Sequence, residues 1–126
     1  MSALALDDLL AELRRRRWLM HFFGPDRGRL TAIGATYQWE GCADVLILRA
    51  EDDASAFRAP TFPDTDYFAP TVVAWQYHAC AAWTLRAVLT LDMPGHPRAP
   101  RAVQAPALGC TVPLDQRRPM TIRPTR

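Results

Sequence analysis

His78 and Cys80, two positions apart, are the residues of this 126-residue chain best suited to chemistry. An imidazole and a thiol could serve as base and nucleophile, or could join Cys42 as metal ligands. The spacing fits no standard zinc pattern. There is no C-x-x-C, and the zinc deaminase signature lacks its glutamate and second cysteine, so a partly buried structural histidine is the favoured reading. Five carboxylates, Glu40, Asp44, Glu51, Asp52 and Asp53, would support acid–base or metal chemistry if two of them converged over a pocket. Their places at strand ends and a turn favour a solvated edge instead. The only serines, Ser2 and Ser55, are not in a G-x-S-x-G setting, and Gly24, Gly28 and Gly34 do not make a phosphate loop. No catalytic residue, metal ligand or cofactor is therefore assigned, and an enzyme is not the leading expectation.

Composition narrows the classes further. All fifteen basic residues are arginine, and the chain has neither lysine nor asparagine, which suggests a GC-rich, bacterial coding sequence. Lysine Schiff bases, pyridoxal phosphate attachment, a P-loop lysine and N-glycosylation are excluded. The three cysteines are an odd number at wide spacing, which argues against a disulfide framework and for a reducing, cytoplasmic setting. The N-terminus carries acids before its apolar residues and arginines after them, the reverse of a signal peptide. The most apolar run, residues 67–85, is broken by Pro70, Gln76 and His78, so no membrane partner is expected.

Stepping along the chain, residues 3–22 place Leu6, Leu9, Leu10, Leu13 and Met20 at helical spacing, with acids early and Arg14 to Arg17 late. Strands follow at Leu30–Trp39, Ala43–Arg49 and Ala54–Ala59. Val45 to Leu48 is continuously apolar and predicts a central strand covered on both faces, while Phe57 is expected inward and Arg58 outward. Residues 60–70 read as an aromatic-rich loop. From Thr71 to Asp92 the chain is so apolar that it must be buried, as a strand over 71–77 and a helix over 79–91, with one continuous helix after Pro70 as the competing reading. Residues 94–126 hold seven of the eleven prolines and net charge +5, so they must be extended, turn-rich or disordered. The order of elements is superficially similar to that of double-stranded RNA-binding domains. That module needs a basic start to its second helix, and His78 to Trp83 offers none.

The fold expected is α+β: a single domain over 1–93 with a four-stranded, mainly antiparallel sheet from residues 30–77, helices 3–22 and 79–91 on one face, and an extended arm over 94–126. Ile33, Val45, Ile47, Val73 and Trp75 would form the covered face. The first functional expectation is a protein–protein interaction or assembly protein, self-associating as a homodimer or bound to a partner. Its contact candidates are Leu6, Leu10, Arg14, Arg17, Val112, Leu114 and Ile122. The alternative is a small-molecule-binding or enzymatic domain whose pocket is lined by Tyr37, Trp39, Phe62, Tyr67, Trp75 and His78. A further alternative is nucleic-acid binding through Arg14 to Arg17 and the tail.

Overall fold

The computed structural model describes the backbone of residues 3–25, 29–117 and 120–122, and side chains within 7–25 and 29–117. The class is α+β. Helix α1 (Ala3–Arg15) leads into β1 (Leu19–Phe23), β2 (Ala32–Gln38), β3 (Cys42–Ala50), β4 (Asp53–Pro60) and β5 (Trp75–Ala79), then α2 (Ala81–Leu89) and β6 (Met120–Ile122). The strands form one antiparallel sheet in the order β5-β4-β3-β2-β1-β6. Among the described residues, no helix is long and apolar enough to cross a membrane.

The expected four strands are six: the first helix ends seven residues early, which frees β1, and β6 in the C-terminal segment pairs beside it. Trp18 N–H bonds to the Leu13 carbonyl (3.1 Å), Arg17 N–H bonds to the Arg14 carbonyl (3.1 Å), and Arg17 sits at φ 65°. This is a Schellman termination with arginine where glycine usually stands, and the Leu13 and Trp18 side chains close over it in one core cluster. Leu19–Phe23 then alternates across the sheet: Met20 packs toward the helices and Phe23 toward the other side. The fourth expected strand also moves. Residues 71–74 belong to the loop, tied by Ala74 N–H to the Arg58 carbonyl (2.7 Å), and the strand runs Trp75–Ala79. The helix after it is shorter than expected, Ala81–Leu89 rather than 79–91.

β3 is central and covered on both faces, as its apolar run predicts. The expected single core face divides in two. Leu46, Ala56 and Trp75 pack beneath Leu13, Leu85 and Val88 of the helices. Val45, Ile47, Phe57 and Val73 face the opposite way, under Phe68, Cys110 and Val112. Arg58, expected outward, is 2% exposed because both faces are roofed.

The second roof is the proline-rich segment itself. Val73 and Gln104 exchange backbone hydrogen bonds (3.0 and 2.7 Å), and Val112 N–H donates to the Phe68 carbonyl (2.9 Å). The Arg117 guanidinium holds the Val112 carbonyl (2.7 Å), the Phe68 carbonyl and Asp66. Gly34 accommodates this layer, since a Cβ there would lie 2.7 Å from the Phe68 ring.

A left-handed L-residue costs about 1–2 kcal/mol relative to its usual backbone state. Arg17→Gly should therefore raise stability by about 1 kcal/mol in urea unfolding; an unchanged or lowered midpoint would show that the turn is not the Schellman geometry.

Candidate functional site

Cys42 and His78, weighed as metal ligands and not favoured, are not brought together. Cys42 pairs with Pro60 and His78 with Ser55 along β4, five residues or about 17 Å apart at strand rise. Among the described residues, no three of His, Cys, Asp and Glu form a metal-holding group. Burial pushes the Cys42 thiol pKa up, which disfavours the reactive thiolate.

His78 is instead part of a latch. Its Nε2 lies 3.0 Å from Gln76 Oε1, an acceptor that also receives Ala107 N–H (2.9 Å), so Nε2 carries the proton. Nδ1 then accepts from Ser55 Oγ (2.7 Å), and that oxygen accepts from Arg49 Nη2 (2.5 Å). Arg49 Nη1 reaches on to the Gly109 carbonyl (3.0 Å). The Ser–His contact resembles a nucleophile and its base, but Ser55 is 0% exposed, and a Cβ on Gly109 would lie 2.5 Å from its oxygen. The pair fastens the C-terminal segment to the sheet, and its serine has no access to substrate.

A second polar cluster lies at the other end of β4. Arg58 Nε donates to Asp44 Oδ1 (2.6 Å), Nη2 to Oδ2 (2.9 Å), and Nη1 to the Asp92 carbonyl (2.7 Å). Trp39 Nε1 also donates to Asp44 Oδ2 (2.9 Å). Asp44, expected on a solvated edge, is 2% exposed.

Beside this pair opens an aromatic pocket of about 410 Å³. Trp18, Tyr37 and Trp39 form one wall, their neighbouring rings 5.9 Å and 4.8 Å apart. Val88 and Leu89 from α2, then Leu91 and Met93, form the other, with Arg16 at the rim. Arg16 Nη1 donates to the Leu89 carbonyl (2.8 Å) and joins the two helix ends.

Of the expected pocket residues, only Tyr37 and Trp39 line this cavity. Trp75 stacks on Tyr77 at the sheet edge, the Tyr67 hydroxyl donates to Gln38 Oε1 (2.6 Å), and Phe62 stands 65% exposed beside a separate loop pocket. His78 is in the latch. The pocket residues missed are Trp18, Val88, Leu89, Leu91 and Met93, and Arg16 was expected only within the arginine run; an aromatic directly after four arginines was the available signal. Of the contact candidates, Val112 is buried, Leu10 packs on the helix-side core, Arg14 and Arg17 are exposed, and Leu114 is 81% exposed. The Leu6 and Ile122 side chains lie outside the described residues.

The pKa of His78 is lowered by burial first, then by Arg49, with Asp53 opposing. The neutral ring belongs to the folded state, so its contribution is complete above about pH 6.5 and is lost as pH falls below that value. Wild-type stability should drop as pH falls below about 6.5, and His78→Gln should flatten part of that drop; identical profiles would remove His78 from the latch. No family model, curated protein or solved structure matches the chain.

Proposed function

We propose that the protein binds a small molecule in the pocket walled by Trp18, Tyr37 and Trp39. The observation that carries this reading is three aromatic rings along one wall of a cavity of about 410 Å³. That volume lies at the lower end of the 300–1,000 Å³ typical of ligand sites, which are mostly apolar with a few placed polar groups. Here the polar groups are the Arg16 guanidinium and the Tyr37 hydroxyl. The buried Asp44–Arg58 pair holds Trp39 in place by its indole N–H, so the wall is set before a ligand arrives.

The indole N–H signals of the four tryptophans separate this reading from general stickiness. Aromatic fragments should shift the Trp18 and Trp39 signals and leave Trp83, 52% exposed on α2, unmoved. Shifts at Trp83 alone, or none at all, would contradict it.

Assembly remains a second reading, favoured by a specific observation. Val103, Leu108 and Leu114 stand 59%, 95% and 81% exposed along the outer side of the C-terminal segment, while Cys110 and Val112 beneath them are buried. Outward leucines on a fixed segment suit a contact surface for a protein partner or a second copy. Deleting the segment would uncover the sheet and test nothing but folding. Leu108→Ser with Leu114→Ser should instead lower the mass seen by light scattering while leaving the unfolding transition in place; a wild-type chain that stays monomeric at high concentration would count against self-association.

A further inference from the structure

The electrostatics of the pocket mouth select among possible occupants. Resting on the ligand-binding reading above, we infer that the pocket takes a planar aromatic anion of one or two rings, such as an aryl carboxylate or sulfonate. Arg14, Arg15, Arg16 and Arg17 follow one another at the end of α1, and Arg16 lines the cavity. Against them stands Glu12. It is shared by Arg15 (3.0 Å) and Arg16 (3.0 Å), while Arg14 and Arg17 are exposed and have no side-chain partner among the described residues. Arg16 is thus the arginine of this run that lines the cavity; Arg14 and Arg17, close to it in the chain, add positive charge nearby, and such charge concentrates the opposite sign.

The floor does not cancel this field. Both Asp44 oxygens are occupied, Oδ1 by Arg58 and Oδ2 by Arg58 and Trp39, so the one carboxylate in the pocket is already matched by a cation. An aromatic wall of this kind can receive a cationic ligand, but no unmatched carboxylate lines the cavity to hold one. The C-terminus of α2 would repel an anion through its free carbonyls. Arg16 removes that obstacle by binding the Leu89 carbonyl with Nη1, which leaves Nη2 without a partner among the described residues. The Tyr37 hydroxyl likewise makes no hydrogen bond among them. Two donors at the rim and apolar walls behind them suit one anionic group on a flat ring. The volume is too small for a dinucleotide.

The test uses two fluorophores with the same two fused rings, naphthalene-1-sulfonate and naphthalene, the second lacking the sulfonate. The sulfonate probe should bind about tenfold or more tightly than the neutral one, as expected for a charge-assisted hydrogen bond, and added salt should erode that advantage. Arg16→Gln should abolish the difference while the neutral probe binds as before. Because Arg16 also joins the helices, the exposed pair Arg14→Gln with Arg17→Gln provides a second check and should flatten the salt dependence alone. Met93→Trp, which fills the mouth from an exposed position, should block both probes. Equal affinities for the two probes, both blocked by Met93→Trp, would keep the pocket and overturn the anion. Binding of neither, or binding indifferent to Met93→Trp, would overturn both.

Discussion

Asp44 and Arg58 are opposite charges placed where water does not reach, and the end of the molecule that holds the pocket is arranged to satisfy them. Withdrawing such ions from water costs several kcal/mol each even after relaxation, and only near-complete hydrogen bonding offsets it. All three Arg58 nitrogens are used, and both Asp44 oxygens. Lysine, a point charge, could not make this fork. The partners come from separate parts of the chain: Asp44 on β3, Arg58 on β4, Trp39 from the β2–β3 turn and the Asp92 carbonyl after α2. One cluster thereby fixes both walls of the pocket, since Trp39 stands on one side and Leu91 and Met93 flank Asp92 on the other.

The same burial demands that β3 and β4 be covered on both faces. Two helices cover one. The other needs a layer that proline can form, and an extended segment pinned by side chains meets that need: Gln76 receives Ala107 N–H, Arg49 binds the Gly109 carbonyl, and Arg117 holds two carbonyls of its own layer. Most of these anchors are arginine or glutamine side chains reaching backbone, which is how irregular chain satisfies its polar groups without a strand ladder. Arg117, one of the basic residues of the tail, thus has a structural use.

Much of the sheet was legible in the residues. The alternation of Ile33, Ala35 and Tyr37 and the run Val45 to Leu48 mark β2 and β3, and ordinary turn residues separate them. What failed did so for identifiable reasons. Leu19–Phe23 has only His21 as a polar residue, too little to show its period, and the helix before it is stopped by an arginine in the left-handed region, with neither glycine nor proline to announce the stop. Arg58 was expected outward because alternation tells which faces differ, and cannot tell that both are roofed. The pocket was half legible: Tyr37 on β2 and Trp39 just past its end follow the strand's alternation onto the helix side, whereas Trp18 and Met93 reach it only through the early helix stop and the pinned turn at Asp92.

Since the pocket wall, the turn and the pairing of β3 with β4 all lead back to one desolvated cluster, hydrogen exchange at its own protons is the most direct measurement. The Arg58 Nε–H and Trp39 Nε1–H signals should persist at neutral pH with protection comparable to core amides of β3 and β4. Exchange of both at the rate of an exposed side chain would contradict the buried pair and remove the support on which the binding site rests.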